Sequence, residues 1–317
     1  MTLDRKPRSP SGWHGHVHVS FHQAAGRTVH QGGAVAPLRL QRSRALADGR
    51  CELPILHTGG GLVGGDRLSL ALDLEAGARA LITSVAAQKV YGSVGRSRLA
   101  PEGRWARQEL RVRLAAGADL EWLPQELVVY ANGMVEQHQR VELEPGASWL
   151  GAEVARLGRT AAGEQLERGC WRSLLEVRRL GEGGGRWELV DRLELGGEAL
   201  DSPHGLNGEP VVGSLVWAAP EPLDPERLAL LLAQARQDRI GLAGAMACGA
   251  LDQGLVARYR GPSTQAARFW FTRLWARIRA CRHLPPPELP RCWPFQEQPL
   301  RVDGPQEGVP GEPAAVA

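Results

Sequence analysis

The chain has 317 residues and a formal charge of +3, from 38 basic against 35 acidic side chains, a balance that excludes the one-sided surface of a nucleic-acid binder. No apolar span is long enough for a membrane helix and no apolar core near Met1 forms a signal peptide, so a cytosolic protein is expected. Its five cysteines (Cys51, Cys170, Cys248, Cys281 and Cys292) are far apart and never form a CxxC pair, which argues against a disulfide framework and a zinc site.

Residues Met1 to Ser11 are polar. From Trp13 to Phe21 the sequence WHGHVHVSF alternates, placing Val17, Val19 and Phe21 on one face of a predicted strand and His14, His16 and His18 on the other. Three alternating imidazoles suit divalent nickel, copper or zinc. A plain solvated face is the other reading, because pattern alone sets no coordination geometry.

The most unusual stretch is HTGGGLVGGDRLSLALD, from His57 to Asp73. Five glycines in seven residues (Gly59, Gly60, Gly61, Gly64 and Gly65) call for positive φ or close approach of another segment. Gly59, Gly61 and Gly64 satisfy GxGxxG literally, but a dinucleotide fingerprint needs a helix next. Here Leu68, Leu70, Leu72 and Leu74 recur at every second position, the period of a half-buried strand. Asp66 stands where a P-loop would carry its lysine, a negative charge facing any phosphate. Nucleotide binding is therefore not expected. Asp66 has two remaining uses: capping backbone amides in a glycine-rich turn, or approaching an ion closely past neighbours of little bulk.

Between Leu70 and Val154 one phrase recurs. LDLEAGA (Leu72 to Ala78), VRLAAGA (Val112 to Ala118) and VELEPGA (Val141 to Ala147) each pair apolar residues at strand spacing with Gly-Ala and a further strand; LELGGEA (Leu193 to Ala199) is a fainter copy. Repeated strand, tight turn and strand units predict a β first half with sheets stacked on one another.

Three stretches between these units carry chemistry. Ile82 to Ser93 holds Lys89, one of two lysines, beside Tyr91; Leu120 to Tyr130 holds Glu121 and Glu126; Gly158 to Gly169 sets Arg159 near Glu164. Paired carboxylates suit a general acid and base. No GxSxG elbow or HExxH motif accompanies them, and pairing with arginine or backbone amides is an equal alternative.

The second half changes character. Asp224-Pro225-Glu226 is a helix start with Asp as N-cap, and the helix is expected to run to Ile240 and Gly241. Ala250 to Tyr259 reads as one strand. A second helix is expected over Thr264 to Cys281, with Ala267, Trp270, Phe271, Leu274, Ile278 and Cys281 on one face. Trp270, Phe271, Leu274 and Trp275 exceed what one stripe needs, which suggests that part of this helix faces a partner. Pro285 to Pro287 and Pro290 stop it. Residues 1–302 read as a single domain and 303–317 as a disordered tail of Pro, Gly, Ala and Glu.

Seven phrases now stand in order: PLRLQR at Pro37 to Arg42, HTGGGLVGGDRL, the Lys89-Val90-Tyr91 segment, LEWLPQE, GRTAAGE at Gly158 to Glu164, LWARIR at Leu274 to Arg279, and PRCW at Pro290 to Trp293. Together, from Trp13 to Trp293, they resemble the urease accessory protein UreD family, also called UreH. Departures are Thr83-Ser84 where the family usually has two threonines, the extended histidine run, and the tail after Trp293.

The resemblance implies a mainly β, solenoid-like stack of sheets with a few α-helices in the C-terminal half. It also implies a maturation chaperone with no reaction of its own, which joins UreF and the GTPase UreG to deliver nickel into apo-urease in the cytoplasm. Such a protein binds no cofactor tightly and holds nickel only in transit, through weak oxygen sites that release it. Asp66 and Glu126 are the candidate ligands, with Lys89 balancing charge, and Gly60, Gly61, Gly64, Gly65, Glu121, Arg159 and Glu164 support the path. Two other readings are an inert scaffold holding the same partners, and an enzyme using Glu121, Glu126 or Lys89.

Overall fold

The computed structural model describes residues 12–293 and 298–300; the expected tail, 303–317, lies outside them. The chain opens with β1 (His14–Ala24) and β2 (Arg27–Val35), followed by β3 (Leu38–Leu40), β4 (Arg44–Ala45) and β5 (Cys51–His57). Two triplets follow: β6 (Arg67–Leu74), β7 (Arg79–Ser84) and β8 (Gln88–Val90), then β9 (Ala106–Leu114), β10 (Asp119–Trp122) and β11 (Leu127–Val129). Next come β12 (Met134–Leu143), β13 (Ser148–Leu157), β14 (Cys170–Arg179), β15 (Arg186–Gly196) and β16 (Val211–Ala218). Helix α1 (Pro225–Gln237), the hairpin β17 (Ala245–Leu251) and β18 (Gly254–Gly261), and helix α2 (Thr264–Cys281) complete it.

The recurring phrase is the corner that carries the chain between two sheets. β6, β9 and β12 lie in one sheet, in the order β15-β14-β12-β9-β6-β1-β2, while β7, β10 and β13 lie in the other, ordered β17-β18-β16-β13-β10-β7-β5-β3. At each corner the alanine amide closes a turn on the acid or alanine three residues back: Ala78 on Glu75, Ala118 on Ala115, Ala147 on Glu144. Gly77, Gly117 and Gly146 take left-handed φ of 68°, 69° and 75° there, which glycine adopts without strain. The three alanines are fully buried, so the corners admit no larger side chain. Each return strand pairs in parallel with its predecessor, giving β1, β6, β9, β12 and β14 one direction, with antiparallel β2 and β15 at the edges. Both sheets stay open. The fainter copy, LELGGEA, is no such corner: it ends β15 and enters a 3-10 turn, Gly197–Leu200.

One core fills the space between the sheets, around Phe21, Leu72, Val112, Val141, Trp149 and Trp171. A second fills the space between the outer face of the β16-bearing sheet and the helices, around Trp217, Leu231, Trp270 and Trp275. Strand β13 contributes to both, Trp149 to the first and Leu150 to the second, which explains its nearly continuous apolar run.

Helix α1 starts as expected, Asp224 accepting the amides of Glu226 and Arg227 at 3.1 Å. It ends at Gln237 rather than Ile240; Asp238 caps it, its amide on Gln234 and its carboxylate on Arg277 of α2. The single strand expected over Ala250 to Tyr259 is a hairpin turning at Asp252-Gln253, and Ala245 to Leu251 supplies its first arm. Helix α2 spans the expected residues. Its aromatic excess does not reach a partner: Trp270, Phe271, Leu274 and Trp275 are all buried in the second core, where α1 and a two-faced sheet cover more than one stripe.

Candidate functional site

The glycine loop joins β5 to β6 at one end of the sheets. Strand β6 follows it, as the leucine period predicts. Asp66 is 7% exposed, and its carboxylate accepts the amide of Trp13 at 2.8 Å and that of Val63 at 2.9 Å. It therefore ties the loop to the start of β1. Gly61 has φ 153°, and a Cβ there would lie 2.6 Å from the Tyr91 ring and 3.0 Å from the Lys89 carbonyl. The loop is pressed against β8: Leu62 donates to the Lys89 carbonyl, Tyr91 donates its amide to Leu62 and its hydroxyl to Gly60.

Behind Gly60, Gly61, His57 and Lys89 a cavity of about 260 Å³ opens between the sheets. Its hydroxyls are structurally engaged, with Ser84 accepting the Gln125 amide and Thr83 accepting Trp293 Nε1. Burial lowers the His57 pKa, opposed by the nearby Asp66 charge. Deeper in, the wall becomes a polar seam across an otherwise apolar core. Gln137 donates to Gln108 at 2.8 Å and accepts from Trp171 Nε1 at 2.6 Å. Next to it, Glu153 accepts from Gln139 at 3.2 Å and from Ser173 at 3.0 Å. The seam leads toward Asp191, which pairs with Arg258 at 2.7 Å.

Glu153 is the exceptional group. Burial pushes its carboxyl up to about 7, Asp191 adds to the rise, and Ser173 and Arg258 oppose it. Near neutrality it therefore exchanges a proton readily, and a cation arriving beside it would displace that proton.

The sequence-predicted residues divide differently. Glu121 and Glu126 do not face one another as an acid and base pair. Glu121 is buried and binds Arg279 at 2.8 and 3.0 Å, whereas Glu126 binds Arg268 at 2.7 Å. Both arginines belong to α2, three turns apart. Arg268 is further fixed by Gln125 and stacks 4.8 Å from the Trp293 ring. Arg159 does pair with Glu164, which also accepts the Ala131 amide at 2.9 Å; Arg159 lies 4.5 Å over the Tyr130 ring. Lys89 is exposed at the cavity edge. Of the predicted set, Gly60, Gly61 and Lys89 line the cavity, while Gly64, Gly65 and Asp66 build its rim. His14, His16 and His18 point outward as predicted; His14 lies 3.1 Å from Ser69 and His18 2.9 Å from Asp73. Among the described residues no group of three or more His, Cys, Asp and Glu could hold a metal ion.

Sequence reasoning missed Glu153, Gln108, Gln137 and Gln139. A faint signal existed: Glu153 interrupts the apolar run of β13, and the glutamines occupy inward positions of β9 and β12. Which strands face one another is a tertiary fact, and only it brings these positions together.

The site is thus a rimmed cavity whose hydroxyls serve the fold and which leads to one buried carboxyl beside the amide of Gln139. The chain belongs to the UreD urease accessory protein family, whose model matches residues 14–294. It is 61% identical over 289 residues to the urease accessory protein UreD of Synechococcus sp. strain CC9902, covering 91% of this chain and 93% of that one. It is 62% identical over 288 residues to the UreD of Parasynechococcus marenigrum strain WH8102, with the same coverage. Against the UreD of Prochlorococcus marinus strain MIT 9303 it is 59% identical over 271 residues, 86% of this chain and 91% of that one. The family is one of accessory proteins, not enzymes. No helix among the described residues is long and apolar enough to cross a membrane.

Proposed function

We propose that this chain acts with UreF and the GTPase UreG to deliver nickel into apo-urease, and that the ion travels through the inter-sheet cavity. The observation that supports this most is Glu153: a buried carboxyl that forms no ion pair among the described residues, hydrogen-bonded by Gln139 and sharing the cavity wall with Gln108 and Gln137. Neutral oxygen ligands and one titratable carboxyl bind a divalent cation loosely enough to release it. A store would use a closed set of soft ligands.

In this reading Asp66 and Glu126 shape the path. Asp66 holds the rim through two amides, and Glu126 is held by Arg268 beside the cavity-lining Gln125. Lys89 sits at the edge, where its charge favours passage over retention. Nickel is cargo, and no cofactor is required. The test is reconstitution of apo-urease with purified UreF, UreG, GTP and limiting nickel, with and without this chain. Urease-bound nickel and activity should rise only when the chain is present. Equal loading without it would refute the delivery role.

A further inference from the structure

The cavity and its rim make no use of the histidine row on β1. That strand runs between β2 and β6, paired on both sides, so its backbone is fixed and successive side chains alternate between faces. Val17, Val19 and Phe21 enter the core between the sheets, which puts His14, His16 and His18 together on the outer face, all three exposed. Neighbours in the same rows are small: Ser69 lies beside His16 on β6, and Ala71 and Gly33 lie on either side of His18. Arg67, beside His14, turns its guanidinium to Glu109 at 2.6 and 2.7 Å.

His14 and His16 are the close pair, with ring centroids 6.2 Å apart and planes inclined at 56°. A divalent metal holds an imidazole nitrogen at about 2.0–2.1 Å, so two nitrogens on one ion lie at most about 4 Å apart. Rings at this separation meet that condition once each turns a nitrogen toward the other, and both side chains are exposed, so the turn meets little packing. His14 gives up a 3.1 Å contact with Ser69 at the surface, a neutral hydrogen bond of small net value. His18 is engaged differently, 2.9 Å from the Asp73 carboxylate, which adds one negative charge to the same face.

We propose that His14 and His16 form a two-imidazole chelate for a divalent late transition metal ion, on the outer face of the sheet and separate from the cavity between the sheets. Two neutral nitrogens select copper, nickel and zinc over magnesium and calcium, which require oxygen ligands. Among the three, the intrinsic order puts copper above nickel and zinc. Water completes the coordination shell, so the ion is held loosely and exchanges. The paired strand sets the two imidazoles side by side before the ion arrives, and little ordering opposes binding. The chelate does not depend on nickel passing at Glu153.

The experiment titrates the full-length chain with nickel ion alone by calorimetry, with magnesium in excess, and follows the histidine ring protons by NMR at substoichiometric nickel. Its variants are His14→Gln, His16→Gln, His18→Gln and Glu153→Gln, each melted without metal; the three histidines are exposed, so their replacement leaves the core intact. In the wild type the His14 and His16 resonances should broaden together. His14→Gln and His16→Gln should each weaken nickel binding on this face at least about tenfold, whereas His18→Gln and Glu153→Gln should leave it unchanged, and copper should displace the nickel. Unchanged affinity and unbroadened rings in His14→Gln and His16→Gln alike, relative to the wild type, would overturn the proposal and reduce the row to a solvated face. Loss in His18→Gln without loss in His14→Gln would also overturn it, placing the ion on His18 and Asp73. Loss in Glu153→Gln alone would overturn it as well, since the nickel site would then be the cavity.

Discussion

Ser173 donates a 3.0 Å hydrogen bond to Glu153, joining the β14 strand of one sheet to the β13 strand of the other through the middle of the core. With Gln139 on the second oxygen, both Glu153 oxygens have partners, and neither partner carries a charge. Hydrogen bonds satisfy the group without forcing it to ionise.

This carries a pH signature. Glu153 is raised from 4.5 to about 7 by burial, so between these values the folded chain binds its proton more tightly than the unfolded chain does. Stability should therefore fall as pH rises through that window. At about 1.4 kcal/mol per pKa unit the loss is on the order of 3 kcal/mol. Urea melts from mildly acidic to mildly alkaline pH should show this slope in the wild type, and Glu153→Gln should flatten it.

Asp66 is predicted to matter for folding as well as for passage. In Asp66→Asn one of the two oxygens that accept the Trp13 and Val63 amides becomes a donor facing a donor. The expected loss is about 1–3 kcal/mol, read as a shift in the denaturation midpoint. A variant as stable as the wild type would show that the two amide contacts contribute little.

The glycines of the loop should differ among themselves. A Cβ at Gly60, with φ 75°, meets nothing within 4 Å, so Gly60→Ala carries backbone strain alone, about 1–2 kcal/mol. At Gly61 the same methyl group collides with Tyr91 and Lys89 as well. Gly61→Ala should melt at lower temperature than Gly60→Ala; the reverse order would mean that β8 yields easily.

Two glutamate and arginine pairs, Glu121 with Arg279 and Glu164 with Arg159, should also separate. Arg279 is buried and holds Glu121 together with Asp48 at 2.7 Å. Arg279→Met leaves these carboxylates with Arg50 alone, 3.5 Å from each, and should cost about 3 kcal/mol. Arg159, half exposed against Glu164, should cost no more than about 1 kcal/mol as Arg159→Ala. Denaturant titrations of the two variants measure the contrast.

Local features were readable before the fold. Alternation in β1 and β6, the Gly-Ala corners and the Asp224 cap follow from periodicity and backbone chemistry, which act over a few residues. What sequence did not reveal was mostly long-range. Glu121 and Glu126 read as a possible acid and base pair until α2, more than a hundred residues away, supplied an arginine to each. The Trp270 and Trp275 surface read as an interface because the second core covering it is built from distant strands. Glu153, the most perturbed carboxyl of the cavity, lies in a strand whose apolar run hides it.

The central claim is that nickel crosses the seam at Glu153. Its most direct measurement is the rate at which nickel moves from loaded UreG into apo-urease, counted as metal bound to urease, with assembled complexes containing wild type or Glu153→Gln. The account predicts intact assembly, a transfer rate at least about tenfold lower in Glu153→Gln, and partial recovery in Glu153→Asp. Equal transfer rates in all three, with equal assembly, would contradict it.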